Sequence, residues 1–182
     1  MSLMSYSQLV DLVEAGVITN LGFSSQINAS SIDVRLGAVV LVETNDFVGQ
    51  YVDPLARTNF PHKVVDLTKG SYFLEPREFA LASTIEVFSL PNDITAEFRL
   101  KSSGARSGLN NLFACHCDPG WNGSVLTLEL HNVMQHTAIK LTYGMPIGQM
   151  LFHHHIVPVP GDQSYAKRGR YNGDLLTQAV KP

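Results

Sequence analysis

The residues best suited to chemistry lie between Arg99 and Asn132, in the stretch RLKSSGARSGLNNLFACHCDPGWNGSVLTLELHN. Lys101, Ser102, Ser103 and Arg106, spaced by Gly104 and Gly108, make a basic, hydroxyl-rich turn. Small residues let the backbone approach a ligand closely, and hydroxyls and cationic heads reach phosphate oxygens. The GxxxxGK loop of nucleoside triphosphatases is absent, so by itself the turn also reads as an ordinary solvated one. Further on, Val125, Thr127, Glu129 and His131 share one face of an extended strand, and Leu126, Leu128 and Leu130 share the other. The leucines suit a core. Glu129 then points to a cleft, a subunit contact or solvent. A carboxylate held in a cleft among apolar residues holds its proton more tightly and can act as a general base near neutral pH. An exposed strand glutamate is the plain alternative. Between the two lies Asp118-Pro119-Gly120-Trp121, a rigid turn. Asp118 can bind a hydroxyl or cap backbone N–H groups. Trp121 can shape a pocket or pack in the core.

Metal chemistry finds little support. Zinc deaminases carry HxE with PCxxC, and neither pattern occurs here. Cys115-His116-Cys117 places His116 opposite the cysteines if extended, and His153-His154-His155 is at most a surface metal site. These spacings fail the usual zinc patterns, so no zinc is expected.

The chain has 182 residues, 45 % of them hydrophobic and 16 % charged. That argues against disorder and for one domain over residues 1–182. The net charge is −3 with no basic block, which disfavours a nucleic-acid partner. No apolar run is long enough to span a bilayer, so no membrane partner is expected. MSLMSYSQL lacks the positive and apolar regions of a signal peptide. A disulfide between Cys115 and Cys117 is geometrically awkward. A cytoplasmic location is therefore expected.

The elements that must position these residues are mostly strands. Ser5 and Gln8 have capping-box spacing, Leu9, Leu12 and Val13 fall on one helical face, and Gly16 can end that helix. Alternation or β-rich composition predicts strands at 32–36, 39–42, 64–67, 72–74, 79–90, 94–100, 124–131, 138–141 and 147–155. Residues 43–62, with Pro54 and Pro61, read as a long loop or edge arm. From Asp162 to Pro182 the chain is polar and aperiodic and reads as an arm that orders over a ligand or a neighbour. The expectation is an all-β sandwich, barrel or jelly roll with one short N-terminal helix.

Six segments together carry a family resemblance. They are SSIDVRLG (30–37), FLEPREFALAST (73–84), LPNDITAEFRLKSSGARSGL (90–109), DPGWNG (118–123), LTLELHN (126–132) and GMPIGQM (144–150). In this order and spacing they resemble the dCTP deaminase branch of the trimeric dUTPase superfamily, from about Ser7 to Gly173. The resemblance implies a distorted β-barrel or jelly roll of the dUTPase-like type. It implies a homotrimer with active sites at subunit interfaces, and a C-terminal arm, residues 162–182, closing over the nucleotide. Mg²⁺ would be held through the triphosphate, with no protein side chain as ligand and no zinc.

By the same resemblance Glu129 activates water for attack on cytosine C4, Ser102 and Arg106 position the reactants, and the backbone near Ala114 holds the water. Lys101, Ser102 and Ser103 match the phosphate turn, beside Arg106. Asp118 and Trp121 match the sugar-proximal turn, and Tyr165, Arg170 and Tyr171 match positions that enclose the triphosphate or base. Lys101 departs from the family's usual arginine. The spacing around Leu112-Phe113-Ala114-Cys115 also departs, which requires a bulge or loop adjustment to keep register, and Cys115 suggests altered substrate preference. The implied activity is zinc-independent hydrolytic deamination of dCTP to dUTP and ammonia, by a hydrolase acting on a cyclic amidine. The alternatives are a dUTP diphosphatase, a bifunctional deaminase giving dUMP and pyrophosphate, and a non-catalytic nucleotide-binding trimer.

Overall fold

The computed structural model describes residues 2–44, 46, 51–114 and 116–181. Cys115, and with it any role in substrate preference or in a disulfide, lies outside the described residues, as does part of the 43–62 loop. In chain order the strands are β1 (Ser2–Leu3), β2 (Ile18–Thr19), β3 (Ile32–Arg35), β4 (Val39–Glu43), β5 (His62–Asp66), β6 (Tyr72–Leu74), β7 (Phe79–Ser89) and β8 (Ile94–Leu100). They continue with β9 (Leu109–Asn110), β10 (His116–Cys117), β11 (Asn122–Asn132), β12 (Ile139–Leu141) and β13 (Pro146–His154). The helices are α1 (Tyr6–Glu14), α2 (Ser102–Arg106) and α3 (Tyr165–Arg168).

The N-terminal helix forms where its spacing predicts. Gln8 Oε1 accepts the Ser5 backbone N–H at 3.0 Å, Leu9 and Leu12 are buried, and Gly16 at φ +73° closes the helix. Two further helices were not expected. The Lys101–Arg106 turn winds into the single turn α2 because Ala105 N–H reaches Lys101 O at 3.1 Å. α3 is started by Ser164, whose hydroxyl oxygen accepts the Ala166 N–H.

One sheet runs β5-β4-β7-β11-β9, with β2 also on β7. A second runs β1-β13-β8-β10, with β3 also on β13, and β6 and β12 form a ribbon. All the ladders are antiparallel. The fold is therefore mostly β, as expected. The expected closure into a barrel or jelly roll is not found among the described residues. Both larger sheets end on short strands, such as β9 and β10 with two residues each, which have too few ladder bonds to join the sheets into a ring.

The axis of the larger sheet is the β7–β11 pair, each strand eleven residues long. Alternation works as the sequence suggests: Leu128 and Leu130 are fully buried and Leu126 nearly so, whereas Thr127 and Glu129 are only partly buried. The register shifts between Val125 and Thr127, where β7 inserts Thr84, Ile85 and Glu86 opposite the single Leu126. That irregularity turns Glu86 into the interior. There it is 0 % exposed and accepts from Arg35 Nε at 2.8 Å, Arg35 N–H at 2.9 Å and Gln26 Nε2 at 3.0 Å. Among the described residues no helix is long and apolar enough to cross a membrane.

Removing one partner of a buried, fully bonded pair strands the other charge. Glu86→Ala is therefore expected to destabilise the protein by about 3–5 kcal/mol. Glu97→Ala, which breaks the more exposed Glu97–Arg99 pair, should cost only about 0–1 kcal/mol. Denaturant midpoints at fixed protein concentration check the contrast.

Candidate active site

The β7–β11 ladder presents Glu129 directly opposite Leu81. On that face the two strands form the floor of a cavity of about 380 Å³, lined by Phe79 and Leu81 from β7 and Val125, Leu126, Thr127 and Glu129 from β11. The segment before β5 supplies Val52, Thr58, Asn59 and Phe60. Phe60 meets Phe79 edge-on at 5.5 Å between ring centroids. Ala114, His116, Cys117, Asp118 and Trp121 form another wall, and Tyr165, Tyr171, Asp174, Gln178, Ala179 and Val180 close the cavity from the C-terminal side.

Glu129 is the chemically exceptional group. Its Oε2 is buried and has no hydrogen-bond partner among the described residues. Burial pushes its pKa up from 4.5 to about 7, only partly offset by its own backbone amide. No lysine or arginine is among the described lining residues, so nothing cationic on this wall holds the carboxyl ionised. A carboxyl so placed exchanges protons near neutrality, as a general base requires.

The Asp118 turn holds the opposite wall. Gly120 sits at φ +87°, and a Cβ there would lie 1.9 Å from Ser164 Oγ. Only glycine allows both the left-handed backbone and the close approach of the tail. Ser164 Oγ donates to Asn92 Oδ1 at 2.7 Å, and Tyr165 N–H donates to Pro119 O at 3.0 Å. Trp121 is both core and wall: it is 5 % exposed, stacks on Phe88 at 5.6 Å, and donates from Nε1 to Tyr171 O at 2.8 Å. The tail then lies beside the start of β11, with Gly173 N–H on Asn122 O at 3.0 Å and Val125 N–H on Asp174 O at 2.8 Å. Farther along, the buried Thr177 donates to Val39 O at 2.8 Å, and Asn59 Nδ2 donates to Val180 O at 3.2 Å.

Of the residues singled out in the sequence, the fold brings Glu129, Ala114, Asp118, Trp121, Tyr165 and Tyr171 to this one cavity. It does not bring Lys101, Ser102, Ser103, Arg106 or Arg170 there. Ser102, Ser103 and Arg106 are exposed on α2, and Arg170 is exposed on the tail. Lys101 instead pairs with Asp33 of β3, which also accepts from Asn28 Nδ2 at 2.9 Å. Sequence reasoning missed Phe60, Phe79, Asn59, His116 and Asp174. Phe79 could have been found, because it lies two residues from Leu81 on the same strand face. The others are placed by tertiary contacts. Among the described residues, no group of three or more His, Cys, Asp or Glu could hold a metal ion.

A family model described as dCTP deaminase-like matches residues 3–155. The chain is 43 % identical over 128 residues to the "dCTP deaminase, dUMP-forming" of Mycobacterium marinum, covering 69 % of this chain and 66 % of that protein, just under two thirds of its length. It is 41 % identical over 150 residues to the Nocardioides protein of the same name, covering 81 % and 77 % respectively. The crystal structure of 2'-deoxycytidine 5'-triphosphate deaminase from Agrobacterium tumefaciens superposes with a TM-score of 0.65 at 22 % identity, over 84 % of this chain and 48 % of that one, which speaks to the fold alone. The names of the relatives overturn one expectation. Deamination was expected to stop at dUTP, whereas these relatives are named as forming dUMP. A carboxylate at the ring says nothing about the phosphate end.

The raised Glu129 pKa fixes the sign of a pH effect. Between 4.5 and about 7 the folded chain keeps a proton there that the unfolded chain has released. Stability from this group is therefore lost as pH rises through that window. In the isolated chain, Glu129→Gln is expected to lose this dependence and to gain on the order of 2 kcal/mol relative to wild type above neutral pH. Unfolding midpoints of the two proteins should coincide near pH 4 and diverge by pH 8.

Proposed function

Because the chain belongs to the dCTP deaminase-like family, we propose that it converts dCTP into dUMP, ammonia and pyrophosphate. The observation that carries this reading is the partnerless buried carboxylate oxygen of Glu129 in an aromatic-walled cavity. Water is a poor nucleophile at neutral pH. Glu129 takes its proton, the water oxygen adds to cytosine C4, and the proton passes on toward the ring nitrogen and then the departing ammonia. The backbone near Ala114 holds that water, and Phe60 and Phe79 flank the pyrimidine. Trp121, Tyr165 and Tyr171 enclose the nucleotide, with Asp118 beside the sugar and phosphates. Residues 162–182 act as the closing arm of a single domain.

A triphosphate brings several negative charges, yet the described lining offers no lysine or arginine. The exposed Ser102, Ser103 and Arg106 are therefore supplied from α2 of a second copy, with Lys101 and Arg170 at the rim. With the three-fold assembly that the resemblance implies, the working unit is a homotrimer with interfacial sites. Arg106 then faces Glu129 across the interface and stabilises the charge that develops during attack. The donor set fits a magnesium ion that arrives with the nucleotide, because Mg²⁺ takes its ligands from phosphate oxygens and water. Such an ion would neutralise phosphate charge.

Two measurements test the proposal. Wild type is expected to release one ammonia and one pyrophosphate per dCTP, and Glu129→Gln to lose ammonia release by at least about 100-fold while still binding dCTP. Ammonia production that survives the substitution would remove Glu129 as the base. Separately, Glu129→Gln and Arg106→Ala chains, each inactive alone, should on co-assembly at equal amounts recover about a quarter of wild-type activity. A site built from one chain would recover none.

A further inference from the structure

The dUMP-forming reading, on which this inference rests, demands two hydrolyses at opposite ends of one nucleotide: at C4 of the ring and at the α-phosphorus. One base at the cavity floor cannot serve both. Three carboxylates line the cavity among the described residues: Glu129, Asp118 and Asp174. Glu129 sits on the floor with the ring site. Asp174 is bonded to Lys181 through Oδ1, and its other oxygen is buried away from solvent, with no route for a proton to leave. Asp118 remains, with its side chain 58 % exposed on another wall of the cavity. It is not alone: His116 Nε2 stands 3.4 Å from Asp118 Oδ1, and His116 lines the same cavity. The two residues are separated by Cys117, so on the short strand β10 and the turn after it both side chains point the same way.

We propose that His116 is the positioning residue of the second hydrolysis, orienting the Asp118 carboxylate toward a water at the α-phosphorus and carrying its proton away. The water oxygen bonds to the α-phosphorus as its proton goes to Asp118. The bond from the α-phosphorus to the bridging oxygen breaks, and pyrophosphate leaves with that electron pair. Asp118 passes the proton to Nε2 of His116. The imidazole, 59 % exposed, releases it to solvent. The balance is dUTP and water in, dUMP, pyrophosphate and one proton out, with no further reactant.

The surroundings allow this exchange. On β8, Glu97 lies opposite His116 in register, but its carboxylate is bonded to Arg99 at 2.8 Å, so that pair presents little net charge. On α3, the Tyr165 hydroxyl stays protonated, chiefly through burial and to a smaller degree through the Asp118 charge. No other carboxylate lining the cavity stands within ion-pair distance of the imidazole.

The test is a two-product assay with dCTP, and with dUTP as a second substrate, on the full-length protein. His116→Phe is expected to lower the ratio of pyrophosphate to ammonia at least about tenfold, so that dUTP accumulates. His116→Gln, which keeps a nitrogen near Asp118 but cannot take up a proton, should restore part of that ratio. Its pyrophosphate release should also differ from wild type in pH profile, because an amide exchanges no proton. A ratio unchanged in both variants, or a wild-type pH profile retained in His116→Gln, overturns the assignment. Wild type that releases ammonia without pyrophosphate would instead overturn the dUMP-forming reading, and this inference with it. Should His116→Phe fail to fold, the ratio and pH profile of His116→Gln decide.

Discussion

An ionisable group set into an apolar strand wall without a partner is the constraint on which the rest of this structure turns. Two glutamates on the same β7–β11 system show the alternatives. Glu86 is fully buried and takes an arginine, a backbone amide and a glutamine side chain as donors. Glu129 leaves one buried oxygen with none among the described residues. The first arrangement fixes a strand irregularity in place. The second leaves an unmet demand for a proton or a cation, because a buried carboxylate without donors is costly to ionise. Only a rigid frame can hold a side chain in such a place. The frame here is the eleven-residue antiparallel pair, with Leu128 and Leu130 fully buried on the reverse face.

The cavity around that carboxyl is made by the tail as much as by the sheet. The turn at Asp118–Gly120 receives the tail, and the backbone at 171–174 then bonds along the first residues of β11. Apolar walls lower the local polarity that Glu129 experiences. The same contacts that wall the cavity therefore also tune its acid. Asp118 is treated differently, since its side chain stays more than half exposed. Two of the cavity's carboxylates thus occupy unlike surroundings, which in the proposed reaction would separate a base for the ring from one for the phosphate.

Much of the frame was legible in the sequence because it follows from local periodicity. Alternating leucines placed Glu129 on the face of β11 away from the core, and Ser5, Gln8 and Gly16 delimited α1. The strands at 32–35, 72–74, 79–89 and 94–100 carry β-rich or alternating composition and were readable for the same reason. What was not legible depends on contacts between distant residues. The two-residue strands β9 and β10 carry too little sequence to show a period. The single turn α2 reads as a loop because its small residues and serines favour turns as readily as helix. His116 looked like a lone histidine between cysteines until the fold set it beside Asp118 in a shared cavity. Phe60 comes from a stretch with no periodic signal. The phosphate end of the reaction came only from the resemblance, which carried the dUMP-forming alternative, because no spacing ties the Glu129 strand to a second reacting atom.

The position of Arg106 has a consequence for how the base is switched on. In the single chain the guanidinium is exposed on α2, away from the cavity, and Glu129 holds its proton up to about pH 7. A cation brought within a few ångströms favours the ionised form and lowers that pKa. In the proposed interfacial site, assembly would therefore deprotonate Glu129 and complete the phosphate-binding cations in one event. An isolated chain would carry a carboxylic acid in a greasy cavity with little attraction for a polyanion. In the proposed assembly, the separation of acid and cation onto different surfaces of one chain would tie the chemistry to the assembled protein through electrostatics.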